Sequence, residues 1–317
     1  MAVIRTVLGD IEADQAGLVY AHEHLILDSV LIAKAFPHIL LDSVEVAAAE
    51  VVHCRDAGAR TMVDAMPCAS GRGVLALAEV SRRTGVNLLT VTGLHHERYY
   101  GHDHWTARIP VDTLAELFAL DVEQGVDTYD YTGPVIERTP YRAGLIKVAS
   151  SGGPLDAREQ RLFDAAAAAS LRTGAPIITH CEDGRGGDVQ VAELAARGVD
   201  PDRVLLSHTD KHPDAGYHRE LAASGAYLVY DQALRTTDAD PAPTTALVAT
   251  QVAAGHGDHI LLGTDGARRS LWTEHGGTPG LAWLAAVLPS RLRAAGLTQQ
   301  QVDALYVANP AKALALR

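Results

Sequence analysis

The chain of 317 residues is poor in cysteine and aromatic residues, and it has no long basic run. Its three cysteines, Cys54, Cys68 and Cys181, are odd in number and widely spaced, which indicates reduced thiols rather than a disulfide framework. The formal net charge of -12 and the lack of clustered Lys and Arg argue against a nucleic-acid partner. We therefore expect the ligand to be a small molecule.

Long apolar stretches are also missing. A segment such as 280–288 is too short for a membrane-spanning helix, which needs about 20 residues. The amino-terminal segment has acidic residues where a signal peptide would have its apolar core. No Pro-, Ser- and Gly-rich linker divides the chain. The sequence thus predicts a cytoplasmic protein without a membrane partner, folded as one domain over residues 1–317 with a large apolar core.

What the sequence does contain is a regular alternation of strand and helix patterns. Eight segments have the near-continuous Val, Ile and Leu content of parallel strands that are covered on both faces. They are residues 18–24, 59–67, 86–94, 143–151, 175–181, 203–209, 226–232 and 259–266. Between them lie helical patterns, for which Ser43 and Asp156 are predicted N-caps and Gly174 a predicted end. Eight alternations in this length predict an α/β fold of the (β/α)8 barrel type rather than an open doubly wound sheet.

Two segments, residues 95–142 and 298–316, do not fit the regular alternation of strands and helices. Residues 95–142 are predicted to decorate the mouth of the barrel after the third strand and to contain a helix near 111–125. The histidines of this segment are His95, His96, His102 and His104. We favour a solvent-exposed loop for them over a lid or an adventitious metal site. Residues 298–316 are predicted to form a closing helix that is capped by Thr298 and broken near Pro310.

Six residues whose side chains could bind metal ions lie at or near the carboxyl ends of predicted strands. They are His22, His24, Lys147, His180, His208 and Asp265. Because the carboxyl ends of barrel strands meet at one rim, we expect these side chains to converge. Imidazole nitrogen and carboxylate oxygen suit zinc. Each residue also has a structural interpretation, as a solvent-facing or satisfied core histidine, or as a helix cap in the case of Asp265.

Lys147 is a charged residue in the middle of the predicted strand AGLIKVASS, and two interpretations of it stay open. One alternative is a lysine paired with a carboxylate inside the barrel. In the other, desolvation and metal charge lower its pKa, the neutral amine captures carbon dioxide, and the carbamate bridges two metals. Asp265 would bind one metal and accept a proton from the attacking water. The set predicts a hydrolase with two divalent cations, zinc first, with manganese or cobalt as alternatives.

The ordered motifs HEHL, IKVASS, ITH, LLSH and GTDG, on strands one, four, five, six and eight, resemble the phosphotriesterase family of the amidohydrolase superfamily. The resemblance covers essentially the whole chain. It implies that His22, His24 and Asp265 hold the more buried metal, and that His180 and His208 hold the more exposed one. It further implies that N6-carboxylated Lys147 and a hydroxide bridge the metals, and that the protein is a homodimer.

Arginines follow the last two predicted strands. Arg235 follows strand seven, and Arg268 and Arg269 follow strand eight, where barrel enzymes often hold phosphate. The stretches DGARRS, GGTPGL and HPDAGYH resemble the branch of the family that opens phosphorylated sugar lactones. This resemblance implies that Tyr99, with Tyr100 as the alternative, grips the phosphate together with Arg235 and Arg268.

An alternative interpretation gives Arg268 and Arg269 no role in ligand binding. Either of them would then face solvent or pair with Glu274 or Asp238.

We therefore expect a binuclear metal-dependent lactonase that acts on a small anionic, phosphorylated sugar lactone. An aromatic content of 5% and arginines at the mouth argue against a neutral organophosphate triester as the native substrate. The alternatives are a phosphotriesterase, carboxylesterase or N-acyl amide hydrolase of the same family, and, in another class, a non-catalytic ligand-binding barrel with a residual metal site. The last is disfavoured because no member of the six-residue set is missing.

Overall fold

Eight parallel strands lie side by side in chain order and curl into a nearly closed barrel. The structure is a computed structural model that describes residues 2–101, 103–237 and 242–317. Numbered along the chain, a hairpin of β1 Val3–Thr6 and β2 Gly9–Glu12 is followed by the barrel strands β3 Leu18–Glu23, β4 Ala59–Asp64, β5 Asn87–Gly93, β6 Leu145–Ser150, β7 Ile177–Cys181, β8 Val204–Ser207, β9 Tyr227–Tyr230 and β10 Ile260–Leu262. The predicted (β/α)8 fold is confirmed, and each predicted strand is present in a shorter form.

The barrel closes between its last and first strands. The backbone N–H groups of Thr264 and Asp265 donate to the carbonyl oxygen of His22 over 3.2 and 3.0 Å. Gly263 permits this approach, because a Cβ atom at that position would lie 2.8 Å from the same oxygen. Closure therefore brings the end of β10 directly beside the end of β3.

Helices cover the outside of the barrel. They are α1 Val30–Ala35, α2 Val44–Asp56, α3 Val74–Thr84, α4 Val111–Glu123, α5 Ala157–Thr173, α6 Gly187–Ala196, α7 Ala215–Ala223, α8 Pro243–Ala253, α9 Trp283–Ala286, α10 Leu288–Ala294, α11 Gln299–Asp303 and α12 Asn309–Ala313. The predicted caps are confirmed: Ser43 accepts from the N–H of Val46, Asp156 forms a capping box with Glu159, and Gly174 ends α5 with a left-handed φ of 72°. No helix in the described part of the chain is both long enough and apolar enough to cross a membrane.

The closing helix starts at Thr298 as predicted, with a capping box to Gln301. Its predicted break takes the form of one π-helical turn, Ala304–Ala308, and the chain then stays helical through Pro310. Proline lacks an N–H and crowds the preceding turn, so a wider turn in front of it relieves both problems.

The amino-terminal hairpin, which sequence reasoning missed, closes the end of the barrel opposite the predicted site. Ile4 of β1 packs in the interior cluster with Ala313 and Leu314. The N–H of Leu316 donates to the carbonyl of Val3 over 2.9 Å. The hairpin therefore fills the interior at the amino-terminal ends of the barrel strands. The carboxyl-terminal ends of the strands form the open end of the barrel.

The predicted helix in the segment 95–142 is confirmed as α4, and a buried ionic network anchors the segment. Arg72 contacts Asp121 at 3.0 Å and Asp130 at 2.8 Å, and Arg138 contacts Asp121 at 3.2 Å. Two arginines around one buried carboxylate satisfy it from both sides, as a buried charge requires. The network fixes this long segment to the barrel beside the mouth.

The register places Gly93 of β5 opposite Lys147 of β6, and only glycine fits there. Its φ is +92°, and a Cβ atom would collide with the carbonyl oxygen of Lys147. We predict that Gly93→Ala lowers the free energy of unfolding by about 2 to 5 kcal/mol, from backbone strain plus overpacking. Gly153→Ala is the matched control, because no described atom lies within 4 Å of that Cβ position. Chemical denaturation of both variants tests this, and equal stabilities would contradict it.

Candidate metal centre

The open end of the barrel buries polar atoms that lack partners. Lys147 is fully buried, and its Nζ hydrogen-bonds to no described residue. The same holds for Nε2 of His22 and Nδ1 of His24. Unpaired buried polar atoms are costly and therefore rare. A cluster of them made of imidazole, amine and carboxylate groups fits a site that is completed by metal ions, and the direct pairing of Lys147 with a carboxylate is absent among the described residues.

An irregularity in β3 directs the side chains of His22 and His24 toward the candidate metal centre. Val19 and Ala21 pack in the barrel interior, so strict alternation would place Glu23 inside in place of His22. The register against β4 shifts between Tyr20 and Glu23, which resets the alternation. Glu23 instead accepts from the N–H of Thr264 at 2.8 Å on the neighbouring chain end.

The ligands on later strands depend on strained backbone. His208 follows β8 with a φ of +67°, and Asp265 follows β10 with a φ of +46°. A left-handed conformation at a residue other than glycine costs on the order of 1 to 3 kcal/mol, and such residues cluster at functional sites. The turn carries the His208 ring to within 4.7 Å of the His22 ring and 4.6 Å of the His180 ring, measured between centroids.

Burial sets the protonation of the cluster. Desolvation lowers the pKa of Lys147 to about 8 and the pKa of His24 to about 4. It also holds the pKa of His22 and of His180 well below the usual range, with the charge of Lys147 acting in the same direction. The imidazoles of His22, His24 and His180 are therefore neutral at neutral pH and offer lone pairs, which metal ions require.

Among the described residues, three groups of three have ligand atoms close enough to share one ion, and two of these groups contain His22. One is His22, His24 and Asp265, the set predicted for the more buried metal. The other is His22, His208 and Asp231. Sequence reasoning missed Asp231, although a carboxylate directly after a strand is the same signal that identified Asp265. Asp231 Oδ1 lies 2.9 Å from Nδ1 of His208 and fixes the orientation of that ring.

Arg235 lies against the metal centre. Its Nη2 donates to Oδ2 of Asp265 at 2.9 Å and to the carbonyl oxygen of Asp265 at 2.8 Å, while Nη1 donates to the carbonyl of Thr264 at 3.0 Å. Burial raises the pKa of Asp265, but the electrostatic interactions with His208 and Arg235 outweigh burial and hold that pKa below its ordinary value. The role of Arg235 in phosphate binding stays a prediction. The contact that the structure gives is with Asp265.

Above the ligands lies a cavity of about 300 Å³. His24, His180, His208 and Asp265 form its floor. Four cationic side chains line its walls: Arg98, Lys211, Arg235 and Arg268. Sequence reasoning missed Arg98, which directly precedes Tyr99. It also missed Lys211, which follows His208 by three residues. A small cavity with this lining suits an anionic ligand.

The two candidate tyrosines have different environments. Tyr99 lines the cavity, and the guanidinium of Arg98 lies 5.3 Å from its ring centre. The Tyr100 hydroxyl is buried, where it donates to the carbonyl of Cys68 at 3.2 Å and accepts from the N–H of His95 at 2.8 Å. Of the two, Tyr99 is therefore the one that a ligand in this cavity would meet.

The adjacent arginines also differ. Arg268 is exposed and lines the cavity, whereas Arg269 is outside the lining and contacts His275 at 3.5 Å. Glu274, one suggested partner, bonds to His53 at 2.7 Å instead. The other suggested partner, Asp238, lies outside the described residues. Arg268 thus lines the cavity, and Arg269 does not.

The histidines after β5 correct one expectation. The prediction of a solvent-exposed loop is wrong for His95, which is 6% exposed and has its ring 4.8 Å from that of His180. His96 is half-buried and lies 3.1 Å from Glu182, and His104 caps a short turn by accepting from the N–H of Thr106. His102 lies outside the described residues. The segment is hydrophilic in composition, so the sequence did not indicate that His95 packs against His180.

The barrel and the cluster at its open end define a class, that of metal-dependent hydrolases built on a (β/α)8 barrel. Within that class the chain belongs to the phosphotriesterase family, whose model matches residues 2–314. Its family membership, expected from the ordered motifs, is confirmed.

Relatives within the family are similar over nearly their whole length. A phospho-furanose lactonase of Mycoplasmopsis synoviae is 29% identical, over 98% of this chain and 91% of the relative. The crystal structure of a lactonase from Listeria monocytogenes has a TM-score of 0.91 at 26% identity, covering 99% of both chains. The phosphotriesterase homology protein of Escherichia coli, solved with phosphate in its active site, has a TM-score of 0.85 at 28% identity, covering 95% of this chain and 99% of that one.

Lys147 allows a direct test of the metal centre. We predict that Lys147→Met, which keeps the length of the side chain without its amine, folds but retains less metal than the wild type. Reconstitution of the wild type with zinc should improve when bicarbonate is present, because a carbamate requires carbon dioxide, and the variant should not respond. Metal analysis after gel filtration, with unfolding curves to check the fold, measures both. A variant that binds metal as the wild type does would contradict the bridging role.

Proposed function

We propose that the protein is a binuclear metal-dependent lactonase that opens a small phosphorylated sugar lactone. The observation that carries the proposal is the combination, in one cavity, of metal-ligand side chains on the floor and four cations on the walls. A hydrolase of the phosphotriesterase family with this lining would select an anionic substrate. The phospho-furanose lactonase relative and the phosphate held by the Escherichia coli homologue support this choice.

The proposed centre would hold two ions in distinct positions. His22, His24 and Asp265 would hold the more buried one, and His180 and His208 the more exposed one. Lys147, carboxylated on Nζ, would serve both. Two zinc ions, or manganese or cobalt in their place, would supply Lewis-acid activation of water and of the substrate carbonyl.

Asp265 is the proposed proton acceptor. Its carboxylate lies on the cavity floor, 3.7 Å from Nε2 of His24, and positive neighbours keep it ionised. It would take the proton of the attacking water and pass it to the ring oxygen that leaves the opened lactone. Arg235, bonded to Oδ2, would hold the carboxylate in place for that transfer.

The substrate phosphate would bind to polar and cationic side chains at the wall of the cavity. Arg268 and Tyr99 are its proposed ligands, with Lys211 adding positive charge. Phe36 and Ile39 supply an apolar surface for the carbon face of the sugar ring. This division places the carbonyl over the metal ligands while the charged end is held at the rim.

The other hydrolase activities fit this cavity less well. A neutral phosphotriester would need apolar pockets for its ester arms, and a cavity of about 300 Å³ with four cations does not provide them. An ester or amide hydrolase of the same family remains the second candidate. A non-catalytic barrel is the third, and the presence of the complete ligand cluster argues against it. A homodimer and a cytoplasmic location remain proposals.

The phosphate assignment predicts a selective loss. Arg268→Ala should raise KM for a phosphorylated lactone roughly 10- to 100-fold, as expected for a lost charged hydrogen bond, and change KM for the dephosphorylated lactone little. Arg293→Ala, on the exposed side of α10 and outside the cavity lining, is the matched control. Steady-state kinetics with both substrates measures the difference. Equal losses on both substrates would contradict the assignment.

Substrate class can be tested with a panel of metal-loaded wild-type protein. We predict that turnover of phosphorylated sugar lactones exceeds that of the neutral triester paraoxon and of simple aryl esters. Higher efficiency on the aryl esters would favour the second candidate, and higher efficiency on paraoxon would favour a phosphotriesterase. No turnover of any substrate at full metal occupancy would favour the non-catalytic barrel.

A further inference from the structure

Glu182 lies two residues after the metal ligand His180, in the turn that follows β7. Its Oε2 is 2.8 Å from Nε2 of His180 and 3.1 Å from Nε2 of His96. Arg98 approaches the same carboxylate with both terminal nitrogens, at 3.1 and 3.3 Å. One side chain therefore joins a metal ligand to the segment that carries Arg98 and Tyr99 at the cavity wall.

The turn that carries Glu182 is firmly held. The N–H of Arg185 donates to the carbonyl of Glu182 over 3.0 Å. Gly184 packs so closely on the next turn that a Cβ atom would lie 2.6 Å from the backbone nitrogen of His212 and 2.9 Å from the carbonyl of His208. The carboxylate is thus presented to His180 by backbone that has little freedom to move.

An ionised carboxylate only accepts hydrogen bonds, so the His180 nitrogen that faces Glu182 must carry the proton. In a neutral ring this leaves the lone pair on Nδ1. His208 is held in the opposite sense, because its Nδ1 faces Asp231 and its Nε2 is left free. Two neighbouring strands thus deliver two imidazoles, each oriented by one carboxylate, with different nitrogens available.

We propose that Glu182 is a positioning residue for the metal centre: it fixes His180 in the Nε2–H form and so directs Nδ1 to the more exposed metal. The proposal rests on the proposed binuclear centre and deepens it. Through its bonds to Arg98, Glu182 also ties the orientation of this ligand to the wall that the substrate anion would meet.

A different interpretation is an accessory metal site made of His96, His180 and Glu182, whose ligand atoms lie close together. The structure argues against it. The guanidinium of Arg98 occupies both oxygens of Glu182 and would repel a cation there. In addition, the proton on Nε2 of His180 leaves no lone pair on that side of the ring.

The first experiment compares metal affinity in three variants, by competition of the zinc-loaded protein with a chelator. Glu182→Ala removes the acceptor, and we expect the weaker of the two zinc ions to bind 10- to 100-fold less tightly, which is typical when the partner of a ligand histidine is lost. Glu182→Gln keeps an oxygen that accepts from Nε2–H, and we expect it to stay within about threefold of wild type. Glu193→Ala, which removes a partly buried ion pair between Glu193 of α6 and Arg197, is the matched control and should bind as wild type does.

The second experiment does not depend on metal. Nitrogen-15 NMR of the metal-free protein reports which ring nitrogen of His180 carries the proton. We expect the Nε2–H form in wild type and in Glu182→Gln, and a mixture of the two forms in Glu182→Ala.

The outcomes separate the possibilities. Unchanged zinc affinity in Glu182→Ala, or equal losses in the Ala and Gln variants, would overturn the positioning role. A third zinc equivalent in wild type that disappears in Glu182→Ala would overturn it in favour of the accessory site. A wild type that binds no zinc would refute the proposed function instead, and the NMR result would still decide whether Glu182 orients His180.

Discussion

Closure of the barrel is the constraint on which the site depends. The backbone N–H groups of Thr264 and Asp265 both donate to the carbonyl oxygen of His22, which joins the last strand to the first. Because the candidate metal ligands come from strands at both ends of the chain, this junction is what brings Asp265 within reach of His24. The same junction requires Gly263, since a side chain there would meet the backbone of His22. The contacts that close the barrel are therefore the same contacts that position Asp265 in the candidate site.

The second organising feature is the balance of charge at the open end. Burial makes the positive forms of Lys147, His22, His24 and His180 unfavourable. Asp231 contacts His208, Glu182 contacts His180, and Asp265 lies 3.7 Å from His24. Buried imidazoles next to carboxylates, with cationic side chains on the cavity walls above them, form the arrangement on which the proposed metal centre and anion site rest.

Much of this could be predicted from the sequence. Continuous apolar strands separated by capped helices specified the barrel, and strand-end polar residues identified His22, His24, Lys147 and Asp265 as neighbours. Local patterns missed the residues that act through contacts between segments. Lys211 carries no motif of its own, and the strand-end position of Asp231 did not reveal its contact with His208. The segment after β5 has a hydrophilic composition although His95 is packed against His180.

The sequence by itself determined the fold class and the chemical types of the ligands, because strand periodicity and strand-end positions are properties of the local chain. The tertiary structure decided which nitrogens and carboxylates meet. The register shift in β3 turned His22 inward, a left-handed backbone turned His208 inward, and packing chose Tyr99 over Tyr100 and Arg268 over Arg269 for the cavity. These outcomes depend on close approaches between strands and loops that are distant in sequence, and no local pattern encodes them.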